Sequence, residues 1–140
     1  MRWFLLLAIL AGCATPEPQW TPAELDVPNG DLACLKSVFV GGLAKRGYQL
    51  TQSNDFEIVA EKETQDSLAS MLASSRGMSV LPTERVSVTF ASISNQVRAV
   101  FNSAYVTNRG TAFEQTQPVE FPMSWKTWAE ETASNCKPAQ

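Results

Sequence analysis

Residues 86–105 restrict the fold more than any other stretch of the chain. Val86, Val88 and Phe90 recur at every second position, Ser94-Asn95 interrupts, and Val97, Ala99, Phe101 and Tyr105 take up the period again. Such alternation on both sides of a short polar turn marks an antiparallel hairpin with one buried face. A two-residue turn at Ser94-Asn95 sets Phe90 opposite Ala99, Val88 opposite Phe101 and Val86 opposite Ser103. A slip by one residue would set the apolar side chains against Arg98 and Asn102. Cross-strand matching on one face therefore specifies this register strongly.

Helical periods flank the hairpin. Asp31 can cap a helix in which Leu32, Leu35, Val38, Phe39, Gly42 and Leu43 form one apolar stripe. Lys45 and Arg46 suit the negative end of the macrodipole, and Gly47 is a natural stop, so the helix is expected over 32–46. The small residues in Val40-Gly41-Gly42-Leu43 predict close approach of this helix to a sheet. Tyr48 to Lys62 reads as two strands broken by Ser53-Asn54-Asp55, with Tyr48 and Leu50, then Phe56, Ile58 and Ala60, on the apolar side. A second helix is expected over 65–75, with Leu68, Met71 and Leu72 on one side, followed by a loop at 73–83 between Gly77 and Pro82. Asn108-Arg109-Gly110 forms a turn, and Thr111 to Gln117 is expected to add a strand. Pro122 and Ser124 open a final helix from Trp125 to about Asn135, with Trp125, Trp128 and Ala129 inward and Lys126, Glu130 and Glu131 outward. The expected fold class is α+β: one small domain in which helices cover one face of an antiparallel sheet.

The N-terminus has a different character. Arg2 precedes nine uninterrupted apolar residues, Trp3 to Ala11. A helix needs roughly 20 such residues to span a bilayer, so the run fits the apolar core of an export signal. It stops in Leu10-Ala11-Gly12-Cys13. These four residues resemble, at every position, the lipobox of bacterial lipoproteins. The resemblance implies that Leu10 fills an apolar peptidase pocket and that Ala11 and Gly12 let the backbone enter. It implies that Cys13 receives diacylglycerol and becomes the mature N-terminus. Ala14 stands where an aspartate would signal inner-membrane retention, so the resemblance implies delivery to the outer membrane, facing the periplasm. Two or three acyl chains hold a protein stably where one does not. Three segments are expected: a signal peptide at 1–12, a lipidated tether at 13–30 with Pro16, Pro18, Pro22 and Pro28, and a globular domain at 31–140. Seventeen residues in extended polyproline geometry would reach on the order of 50 Å. Trp20 in this tether either meets the headgroups or packs on the domain.

Composition excludes several chemistries. The chain of 140 residues carries 11 basic and 14 acidic residues and no histidine. Loss of the first twelve residues leaves a net charge of −4. A weakly acidic chain without a basic run speaks against nucleic acid as partner and offers no polybasic sequence for anionic lipid. The absence of histidine removes Ser-His-Asp and Cys-His catalysis and histidine metal sites. Glu57, Glu61 and Glu63, like Glu130 and Glu131, lie close in sequence, as paired carboxylates in glycoside hydrolysis would need. The plainer expectation is solvated surface charge. No catalytic residue, cofactor or metal is expected.

With Cys13 lipidated, Cys34 and Cys136 remain. Export to an oxidising compartment favours a disulfide between them; two free thiols or a redox pair are the alternatives. The order of elements resembles small helix-plus-sheet domains of envelope lipoproteins, including accessory lipoproteins of the outer-membrane barrel-assembly machine. No residue-level motif accompanies that likeness. The expectation is a non-catalytic binding or assembly module of an envelope machine for barrel assembly, secretion or conjugative transfer. It would be attached to the membrane through its N-terminal lipid and to an envelope protein partner. The competing expectation is an inhibitor or immunity lipoprotein acting on an envelope enzyme.

Overall fold

The computed structural model describes residues 22–64 and 82–136. The elements are β1 (Ala23–Pro28), α1 (Leu32–Lys45), β2 (Gln49–Ser53), β3 (Glu57–Glu63), β4 (Thr83–Ile93), β5 (Gln96–Thr107), β6 (Gln115–Val119) and α2 (Met123–Ser134). The helix expected over 65–75, most of the loop at 73–83 and the lipobox residues lie outside the described residues. The α+β architecture is as expected: one antiparallel sheet with both helices on one face.

The central hairpin has the register required by its alternation. Phe90 pairs with Ala99, Val88 with Phe101 and Val86 with Ser103, and Ser94 in the turn takes a φ of 55°. β3 and then β2 extend the sheet beyond β4. On the other side β5 is shared: β1 pairs with Gln96–Phe101 and β6 with Ser103–Thr107.

β1 corrects the expected tether boundary of residue 30. Leu25 and Val27 alternate with Glu24 and Asp26, which places Val27 in the core at 2% exposure. Pro22 and Pro28 had marked this stretch as tether. A proline at the end of an edge strand removes little from the ladder, so Ala23–Pro28 belongs to the folded domain. Three further expectations are corrected. Leu50 and Phe56 are 48% and 71% exposed, because β2 is the sheet edge and Phe56 lies in the turn before β3. β6 begins at Gln115 rather than Thr111, because 108–114 is a turn closed by Thr111 N–H on Asn108 O and Glu114 N–H on Thr111 O. The last helix starts at Met123, two residues early, behind Pro122.

α1 forms where its signals place it. Asp31 Oδ1 accepts from Cys34 N at 3.0 Å, which satisfies one of the free N–H groups of the first turn. Gly47 ends the helix at a φ of 83°. Leu35, Phe39 and Leu43 are buried. Phe39 is the hub, with ring centroids of Phe101, Trp128 and Phe90 at 5.3, 5.7 and 6.1 Å. The close approach expected at Gly42 is to the other helix, not to the sheet: a Cβ there would overlap Trp128 Cζ2. Gly42 thus gives Trp128 its seat between the helices.

Candidate functional site

The sheet face without helices carries the polar chemistry. Along β3, β4 and β5 it presents the residues that alternate with the core, among them Glu61, Arg85 and Arg98. Cross-strand pairing places Glu61 beside Arg85, and Arg85 Nε donates to Glu61 Oε1 at 2.6 Å. From the turn after β5, Arg109 Nη2 stands 2.6 Å from the other carboxylate oxygen, Oε2, as an ion pair without an aligned hydrogen bond. Arg85 also reaches Glu114 at 3.3 Å, and Glu114 Oε2 accepts from Gly110 N at 2.9 Å. The cluster therefore clamps turn 108–114 onto the sheet. Val106 and its cross-strand partner Thr83, on the same face, are buried. A cleft of about 560 Å³ lies beside the clamp, lined by Thr51, Gln52, Glu57, Val59, Ser87 and Glu114 among others.

Glu61 corrects the expectation of solvated charge at this position. It is only 5% exposed. Glu63, Glu130 and Glu131 are exposed and Glu57 is half-buried. A carboxylate buried this far requires paired charges, and Arg85 and Arg109 supply them. Strand alternation marked Glu61 as facing away from the core; no local signal told that a turn nearly fifty residues later would cover it. The arrangement holds loop to sheet, with Arg85 shared between Glu61 and Glu114.

At the opposite corner of this face, Arg98 binds its cross-strand partner Asp26 through two donors, Nε at 2.8 Å and Nη2 at 3.1 Å, with Glu24 at 3.8 Å. The Arg98 guanidinium lowers the Asp26 carboxyl from its usual range. Both groups meet solvent, so the pair orients β1 more than it stabilises it.

The Gly110 backbone N–H, reinforced by Arg85, likewise lowers the Glu114 carboxyl from 4.5. A carboxyl lowered in the folded state contributes stability that is present above its unfolded value and lost as pH falls through the folded one. The Gly110 amide resonance is therefore expected to titrate with a midpoint below 4.5. A midpoint at or above that value would mean that Glu114 does not close the turn.

The helical layer ends in an aromatic cluster. Tyr48, Phe121 and Trp128 each meet Trp125 edge to face at 5.5, 5.7 and 5.8 Å. Arg46 lies over Trp128 at 4.1 Å and Trp125 at 5.3 Å, with Nη1 donating to Gly42 O at 3.2 Å. Lys62 Nζ donates to Arg46 O at 3.1 Å and sits 5.7 Å from the Tyr48 ring. Burial, then the Glu84 carboxylate, pushes the Tyr48 phenol above its ordinary range.

Of the site residues expected from sequence, Leu10, Ala11, Gly12 and Cys13 lie outside the described residues. Cys34 and Cys136 are brought to disulfide distance, with Cα atoms 5.6 Å apart. No helix among the described residues is long and apolar enough to cross a membrane. No protein-family description, curated protein or solved structure matches this chain.

Proposed function

We propose that this chain is a lipid-anchored binding or assembly module of the bacterial envelope, without catalytic activity of its own. It is held at the periplasmic side of the outer membrane as an accessory subunit of a larger machine. The observation that carries the reading is Leu10-Ala11-Gly12-Cys13 at the end of a nine-residue apolar run. Two further features support it. The remaining cysteines stand as a pair, which suits an oxidising compartment. The helix-free sheet face is polar and fixed by ion pairs at both ends, which suits a preorganised contact surface. A short tether confines such a domain near its partner and raises its effective concentration.

Cys13→Ser is expected to abolish lipid labelling and to leave the signal attached. Normal cleavage and membrane partitioning of this variant would overturn the anchored reading. Crosslinking in intact envelopes, followed by mass spectrometry of the captured chains, should recover a stable multi-subunit complex. Tight one-to-one capture of a hydrolase would replace the assembly role with inhibition.

A further inference from the structure

Four of the eight basic side chains in the described residues are engaged away from the helical end. Arg85, Arg98 and Arg109 are ion-paired on the outer sheet face, and Lys36 Nζ donates to Asn54 O at 2.6 Å. The other four are Lys45, Arg46, Lys62 and Lys126, and they gather at one end of the helical layer. Arg46 lies on the Trp125 and Trp128 rings, and Lys62 bonds its carbonyl. Lys45 precedes Arg46, Lys126 follows Trp125, and both are exposed. None of the four joins an ion pair among the described residues. Glu84, opposite Lys62 in the ladder, is turned to the Tyr48 phenol. The result is a cationic patch on a chain whose net charge is −3.

Its apolar components suit a bilayer interface. Trp125 and Trp128 are half-exposed, and Met123 beside them is 74% exposed. Tryptophan rings flanked by Lys and Arg favour the headgroup region, where one edge is apolar and the other wet. The root of the tether lies close by. Ala23 pairs with Phe101, whose ring is 5.2 Å from Phe121, which is 5.7 Å from Trp125. The ten residue steps from Cys13 to Ala23 cannot span more than about 36 Å.

We infer that Lys45, Arg46, Lys62 and Lys126, with Trp125, Trp128 and Met123, form a docking surface for the phosphate headgroups of an anionic bilayer. This rests on the anchored reading above and adds an orientation to it. Anchored at Cys13, the domain lies with its helical end on the membrane and turns the polar sheet face away from it. Without the patch, an acidic domain would be repelled from such a surface; with it, attraction acts within about 10 Å.

The test uses the mature lipidated chain carrying Trp20→Phe, so that emission comes from Trp125 and Trp128. It is reconstituted into vesicles of phosphatidylcholine alone or mixed with phosphatidylglycerol, each with brominated acyl chains. Flotation reads the anchor and tryptophan quenching reads the docking. The expected result is flotation with both vesicles and quenching on the anionic ones, reversed by salt. Replacing both exposed lysines, Lys45→Gln with Lys126→Gln, should lower the docked-to-undocked ratio roughly thirtyfold without altering circular dichroism. Equal quenching on both vesicles, or quenching indifferent to the lysines, overturns the docking surface and leaves the anchor intact. Salt-sensitive flotation with anionic vesicles alone supports docking and overturns the anchor; flotation with neither overturns both. Absence of quenching together with crosslinks from Lys126 to an acidic protein assigns the patch to that protein and overturns lipid docking.

Discussion

Phe101→Ala is expected to lower the free energy of unfolding by about 3–5 kcal/mol, the usual range for truncating a large buried aromatic. Phe101 is 2% exposed and sits where the sheet, α1 and the segment ahead of α2 meet. In the sheet it pairs with Val88 on one side and Ala23 on the other. Above the sheet its ring meets Phe39 of α1 at 5.3 Å and Phe121, ahead of α2, at 5.2 Å. Truncation would leave a cavity walled by rigid strands and aromatic rings that cannot easily collapse into it. Val100, its neighbour on the opposite face, is half-buried, so Val100→Thr should cost much less. Urea unfolding of the two variants side by side checks the claim. Similar losses at both positions would mean that the helix-free face is covered as fully as the core.

Removing the Cys34–Cys136 cross-link is expected to cost about 2–5 kcal/mol. The two residues are 102 apart in sequence, and the chain-entropy account gives about 4.7 kcal/mol for a loop of that order. The native ends are already held without it. Asp31 N–H donates to Cys136 O at 3.3 Å, and Cys136 is 3% exposed. The benefit therefore lies mainly in restricting the unfolded chain. Reductant should move the urea midpoint of the wild-type chain and leave that of a Cys34→Ala, Cys136→Ala double variant in place. Non-reducing peptide mapping of protein from intact envelopes should recover one linked pair. Free alkylation of both thiols would show that the bond does not form there, and the two helix ends would then be held by packing and the Asp31–Cys136 hydrogen bond.

Local patterns carried much of the fold. Asp31, the apolar stripe of α1 and Gly47 bound a helix because capping and helical period are written within seventeen consecutive residues. The β4–β5 register was readable because a two-residue turn and strict alternation leave one solution. β1 was hidden by Pro22 and Pro28, although Leu25 and Val27 alternate with acids that meet Arg98. Leu50 and Phe56 obeyed the alternation but lie at the sheet edge and in a turn, where no helix covers them.

The sequence by itself carries the lipobox-like run on which the proposed anchoring rests, and it determined α1, the β4–β5 register and an antiparallel sheet with one apolar face. Each of these depends on neighbouring residues. Only the tertiary structure decided that Glu61 is buried between Arg85 and Arg109, because burial depends on a turn arriving from far along the chain. It likewise decided that Trp128 rests on Gly42. It also gathered Lys45, Arg46, Lys62 and Lys126 from three separate elements. No basic run exists in the sequence, yet helix packing against the sheet concentrates their charge at one end. Electrostatic potential follows distance in space, and that distance is set by the fold.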